Sequence, residues 1–125
     1  TQIRSISIDS IIKKYDLKKY KTVIKLDIEG NEMSALKGGL DFIRKTSPLI
    51  ILEISKFTFN KKENKEYLKN FLINFDYSIY NIFKKKKELE DILKDLNNLG
   101  KSHKTIGNYY LIKNSSKNLK YFLLN

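Results

Sequence analysis

Leu49-Ile50-Ile51-Leu52 is the longest aliphatic run in the chain, and no other segment constrains the fold as tightly. It follows Pro48 and continues to Ile54, which predicts a strand over Leu49 to Ile54 covered on both faces. Upstream, Thr22 to Ile28 reads as a second strand, rich in β-branched residues and ended by the turn Glu29-Gly30-Asn31. Between the two, Met33, Leu36, Leu40 and Ile43 fall on one face of a helix predicted from about Asn31 to Lys45. Glu32 stands in its first turn, where the helix dipole favours a carboxylate. Gly38 and Gly39 interrupt this helix at a cost of about 1 kcal/mol each relative to alanine. They predict either a bend or a very close packing contact. Ser47-Pro48 stops the helix.

The remaining segments continue the alternation. Ile6 and Ile8 read as a short strand-like approach, Asp9 as the N-cap of a helix carrying Ile8, Ile11, Ile12 and Tyr15, and Lys18, Lys19 and Lys21 as its basic C-terminus. Leu68, Phe71, Leu72 and Phe75 mark another amphipathic helix. Tyr77 to Phe83 alternates as a strand, Leu89, Ile92, Leu93 and Leu96 define a further helix stopped near Gly100, and Tyr109 to Ile112 form the last strand. Leu119 to Leu124 is a short tail element. Strand alternating with helix predicts the α/β class, with right-handed crossovers and a largely parallel sheet whose last strand runs antiparallel. At 125 residues the chain makes one domain or part of one.

Composition removes several alternatives. The chain has no cysteine, which excludes disulfides and thiolate metal sites. No apolar run approaches the roughly 20 residues of a membrane-spanning helix. The sequence begins with Thr1 and opens on no signal-peptide layout, so a fragment or processed chain in the cytoplasm is expected. The net charge of +11 favours salt-dependent attraction to nucleic acid or acidic lipid. Most lysines are scattered, however, and the one dense run is Lys84 to Lys87, so solvated lysines are the favoured account of the charge and a nucleic-acid partner is not expected.

Ligands of open α/β sheets bind outside the carboxyl ends of the strands. Asp27 and Glu29 stand at the end of the first predicted strand, with Gly30 allowing a sharp turn, and Glu53 stands near the end of the second. Three carboxylates on one rim would make an acidic site in a basic protein. Helix capping by Asp27 or Glu29, and pairing of Glu53 with a lysine, fit the same spacing. No metal-ligand spacing accompanies them, so no metal is expected. His103, the only histidine, lies in a loop entering the last strand, where it is either solvated or a proton acceptor near neutral pH.

Three stretches resemble the core of the FkbM-type methyltransferases. They are Ser7-Ile8-Asp9-Ser10-Ile11-Ile12, Ile24-Lys25-Leu26-Asp27-Ile28-Glu29-Gly30-Asn31-Glu32 and Leu36-Lys37-Gly38, beside the family's "T-L-D-x-L-L", "I-K-I-D-V-E-G-A-E" and "V-L-x-G-A". Ile50-Ile51-Leu52-Glu53 resembles the family's next strand, and Asn108-Tyr109-Tyr110-Leu111-Ile112 its closing "N-x-L-F" strand. Asn31 replaces the usual alanine and Ile8 a leucine. The resemblance implies a Rossmann-like class I methyltransferase fold and transfer of a methyl group from S-adenosylmethionine to oxygen on a small-molecule or carbohydrate acceptor. On it Asp27 and Glu29 are expected in catalysis, Asp27 also at the cofactor, and Asn31 and Glu53 on the acceptor side, with Asp27 orienting or accepting the proton and Glu29 shaping the turn. His103, which matches none of these motifs, is a further acceptor-side candidate from its own chemistry.

The family's Gly-rich loop and acidic ribose contact precede this core and have no counterpart after Thr1. Residues 1–125 are therefore expected to form one partial domain, the C-terminal half, corresponding to the fourth through seventh of seven strands. Val23 to Ile28 would then be an exposed edge prone to self-association. The competing expectations are a non-catalytic basic module that binds nucleic acid or an acidic surface through Lys84 to Lys87, and an inactive remnant of the fold.

Overall fold

A computed structural model describes residues 5–124, with the side chains of Lys18 and Asn118 excepted. The expected helix–strand alternation forms as α1 (Ile8–Lys14), a 3₁₀ turn (Leu17–Lys19), β1 (Val23–Leu26), α2 (Glu32–Lys37), α3 (Leu40–Thr46), β2 (Leu49–Ser55), α4 (Lys62–Phe75), β3 (Tyr77–Tyr80), β4 (Lys86–Lys87), α5 (Leu89–Asn97), β5 (Thr105–Lys113) and α6 (Lys117–Leu124). The class is α/β, with a mixed sheet flanked by helices. Ser5 to Ser7 form no strand.

The sheet order is β1-β2-β5-β3-β4. β1 and β2 pair in parallel through Val23↔Leu49 to Leu26↔Leu52. β5 inserts between β2 and β3 and runs antiparallel to both, and β3 turns back on itself to pair antiparallel with β4. Parallel pairing therefore does not predominate as expected, although the closing strand is reversed as the sequence implied. The physical reason is the short hairpin Asn81 to Lys85, which needs no crossover, and the return of the chain as β5 into the gap beside β2.

Alternation along the strands separates two faces. Ile50, Leu52 and Ile54 of β2, with Tyr109 and Leu111 of β5, join Met33, Leu36, Ile43, Leu68, Phe71, Ile92 and Leu96 in one buried cluster. Helices α2 to α5 thus cover one face. The opposite face carries Lys25, Ile51 and Tyr110, and α6 lays Phe122 over Tyr80 and Tyr110, with ring centroids 5.7 and 5.1 Å away. At the far end of the main core, the Tyr77 hydroxyl donates to the Pro48 carbonyl (2.9 Å).

Gly38 and Gly39 satisfy both sequence expectations. They split the predicted helix into α2 and α3, and a Cβ at Gly39 would stand 3.1 Å from the Ile8 side chain of α1. The capping differs from the reading of the sequence. Ser7, not Asp9, caps α1, its Oγ accepting from the Ser10 N–H (3.2 Å). Asp9 lies within the first turn of α1 and reaches across to α3, accepting from the Phe42 N–H (2.8 Å) and the Asp41 N–H (3.3 Å). A carboxylate there satisfies two free donors and complements the helix dipole. Asp9→Ala is expected to lower unfolding free energy by about 1–2 kcal/mol in urea titration; unchanged stability would remove this cap from the account.

Candidate functional site

The site grows from the way the chain leaves β1. Glu29 has a left-handed backbone (φ 51°), and Gly30 follows at φ 100°, so two successive residues turn the chain sharply into α2. Gly30 is required here on two counts: its φ is unfavourable for side chains, and a Cβ would stand 2.9 Å from the Phe57 carbonyl oxygen. Phe57 belongs to the loop leaving β2. The exits of the two parallel strands are therefore pressed together.

Glu32 fixes that turn. Its side chain is 1% exposed, and its carboxylate accepts from the Ile28 N–H (3.1 Å) and the Gly30 N–H (3.0 and 3.1 Å to its two oxygens). A buried carboxylate is tolerated where backbone donors and a helix N-terminus satisfy it. This shaping role was assigned from the sequence to Glu29. Glu29 is instead exposed, with no side-chain partner among the described residues. The sequence signal for Glu32 was its first-turn position, which reveals favourable electrostatics but not which amides it reaches.

The β1–β2 register carries Asp27 and Glu53 to adjacent strand ends, one step beyond Leu26↔Leu52, on the face away from α2 to α5. Each of the two carboxyls acts on the proton affinity of the other. A hydrogen bond from the Lys25 ammonium, 3.0 Å from Asp27, holds the exposed Asp27 carboxyl below its usual range, and contact with Glu53 and the Lys25 charge act in the same direction. Glu53 is half-buried, and desolvation pushes its carboxyl upward, reinforced by the neighbouring Asp27 carboxyl and its charge; the nearby Thr105 hydroxyl, which donates to the Ile54 carbonyl (2.9 Å), and the Lys25 charge oppose the rise. The two carboxyls are displaced in opposite directions, so Glu53 binds a proton more strongly than Asp27.

Asn108 completes the surroundings. It faces Glu53 directly across the β2–β5 ladder, and its Oδ1 is shielded from solvent without a hydrogen-bond partner among the described residues. The sequence showed Asn108 only as the first residue of the closing strand. Its relation to Glu53 depends on β5 pairing with β2, which no local pattern encodes.

The other expected acceptor-side residues are not gathered with this pair. Asn31 is exposed, and its Nδ2 donates to the Ile28 carbonyl (3.4 Å), a turn contact. His103 lies in the loop before β5 at the same end of the sheet, where Nδ1 meets the Ser102 hydroxyl (3.1 Å). No described interaction joins it to Asp27 or Glu53. A cavity of ≈ 420 Å³ lies elsewhere, between α4, the β3–β4 hairpin and α5, and none of these acids lines it.

The model of the methyltransferase FkbM domain matches residues 1–102, which include β1, β2 and both acids. The chain belongs to this family. No curated protein and no solved structure matches it. In this FkbM domain the matched segment ends in the loop before β5, so Thr105 and Asn108 join the acid pair from outside it. No helix among the described residues is long and apolar enough to cross a membrane.

Glu53 yields a signed prediction. Its raised affinity for protons favours the folded state at low pH, and this contribution is lost as pH rises through its folded-state pKa. Glu53→Gln should therefore raise the melting temperature relative to the parent at pH 7 but not at pH 3.5, about a unit below the glutamate range. An identical difference at both pH values would show that Glu53 is not desolvated in this way.

Proposed function

We propose that this chain is part of an S-adenosylmethionine-dependent O-methyltransferase of the cytoplasm, in which Asp27 and Glu53 receive the hydroxyl of a small-molecule or carbohydrate acceptor. The observation that carries the reading is the Asp27–Glu53 pair at the ends of two parallel strands, inside the segment matched by the methyltransferase family. The chemistry of these groups fits part of the methyl donor, because an ionised carboxylate such as Asp27 complements a sulfonium cation. When bound, S-adenosylmethionine supplies an electrophilic methyl carbon.

The residues of this chain divide the remaining work. Asp27 stays ionised and accepts a hydrogen bond from the acceptor hydroxyl, orienting its oxygen. Glu53 binds protons more strongly and, once ionised, is the better acceptor of the hydroxyl proton. This reverses part of the sequence expectation, which gave proton acceptance to Asp27. Lys25 keeps Asp27 charged, and Asn108, opposite Glu53 on β5, flanks the pair. Glu32 holds the turn that presents Asp27.

In the same reading the chain is the C-terminal half of the fold, and the half that carries the Gly-rich loop packs along the outer edge of β1. That edge has no partner among the described residues, and Val23 is 61% exposed there. Left open, the edge pairs with a second copy. Sedimentation should show concentration-dependent association that Val23→Lys abolishes; a monomer at all concentrations would reject edge pairing.

The direct test follows isotope-labelled methyl transfer from S-adenosylmethionine to a panel of hydroxylated small molecules and sugars, using the natural full-length protein. Glu53→Gln is expected to reduce turnover about 10²–10⁴-fold and to remove an ascending pH limb lying above the ordinary glutamate range. Asp27→Asn should chiefly raise the acceptor KM. Wild-type turnover in both variants would eliminate the pair from the mechanism.

A further inference from the structure

The lysine excess is not spread evenly over the chain. Residues 77–87 and 105–124 together hold seven lysines, Lys84 to Lys87 with Lys113, Lys117 and Lys120, and no aspartate or glutamate. The fold brings these two segments together. β3 pairs with β5, Phe122 of α6 packs on Tyr80 and Tyr110, and the Lys84 ammonium lies 5.9 Å from the Phe122 ring centroid. Lys21, from the loop before β1, adds a further ammonium 4.8 Å from the Tyr121 ring centroid.

Large apolar side chains stand exposed within this basic region. Ile82 and Phe83, at the tip of the β3–β4 hairpin, are 59% and 74% exposed, and Leu124 on α6 is 71% exposed. The tip is a built turn. Asn81 Oδ1 accepts from the Phe83 and Lys85 N–H groups (3.0 and 2.9 Å), the Asn81 N–H donates to the Lys85 carbonyl (2.9 Å), and Lys84 takes a left-handed backbone (φ 60°). Two apolar residues are thereby held outward with lysines directly behind them. The flanking acids are Asp76, whose Oδ1 accepts from the Asn114 Nδ2 (2.9 Å), and Glu88 and Glu90 at the start of α5, of which Glu90 pairs with Lys65 (3.3 Å).

We propose that the β3–β4 hairpin and the adjoining α6 form a docking surface for an anionic lipid bilayer, with Ile82 and Phe83 entering the interface and the lysines pairing with headgroups. Charge complementarity selects an anionic partner, and the exposed Ile82-Phe83 tip selects one with an apolar interior. A polyanion such as RNA would use the lysines and leave the isoleucine solvated. The inference is independent of the methyl-transfer reading, since none of these residues lies at the Asp27–Glu53 pair.

The test is co-sedimentation of the chain with phosphatidylcholine vesicles, with and without phosphatidylglycerol, at physiological ionic strength. Binding is expected only to the anionic vesicles. Replacing Lys85 and Lys86 by glutamine should lower the partition coefficient about thirtyfold, because each lysine near an anionic surface contributes about 1 kcal/mol. Ile82→Ser with Phe83→Ser should lower it at least about tenfold through lost apolar burial. All four positions are exposed, and circular dichroism verifies that the variants remain folded. Equal binding to neutral vesicles, or vesicle binding unchanged by Ile82→Ser and Phe83→Ser, would overturn the proposal. So would tight single-stranded RNA binding that ignores the apolar substitutions, accompanied by no vesicle binding.

Discussion

The contact between Gly30 and the Phe57 backbone is the constraint on which the site depends. It presses the exit of β1 against the exit of β2, and it is possible only because residue 30 has no Cβ. Glu32 makes the arrangement stable by binding the Ile28 and Gly30 amides with a buried carboxylate. Hydrogen bonds to charged groups contribute on the order of 1.5–3 kcal/mol, and these close a turn whose backbone would otherwise be strained at Glu29. Once the exits are fixed, the parallel register leaves Asp27 and Glu53 as neighbours. The placement of the acid pair thus follows from a glycine and an acid that lie outside it.

The organisation of the core rests on a second constraint of the same kind. α1 contributes no buried residue of its own, yet Ile8 fills the space over Gly39 and Asp9 binds the first amides of α3. The glycine pair that weakens a continuous helix is thus offset by an interhelical cap and a close packing contact. A break in local propensity becomes the point at which α1 is attached.

Much of this was legible in the sequence because it obeys local rules. The aliphatic run at Leu49, the β-branched segment before Asp27 and the heptad-like spacing of α4 and α5 each specify an element through burial. Placing Asp27 and Glu53 on one rim required only strand ends and the rule for open sheets. The rest depended on non-local pairing. Asp9 looked like a cap for its own helix because an N-terminal Asp reads identically whether its amides lie in α1 or in α3. β4 is two residues long and lies within the lysine run, a segment with no apolar alternation to announce a strand. The relation of Asn108 to Glu53 exists only because β5 enters beside β2, and Glu29 and Glu32 exchange roles through backbone angles that spacing does not encode.

An acid that binds protons more tightly than usual in a chain of net charge +11 requires explanation, since surrounding lysines should favour its ionised form. Distance resolves the conflict. At physiological ionic strength exposed charges are screened over about 8 Å, so the lysines of the β3–β4 hairpin and α6 contribute little across the sheet. Lys25 is the cation that acts on the pair, and its ammonium is hydrogen-bonded to Asp27, whose negative charge then faces Glu53. Local desolvation therefore wins over net charge. The same screening lets the opposite edge of the sheet collect lysines without offsetting the desolvation of Glu53, so a basic surface and an acidic rim coexist on one small domain.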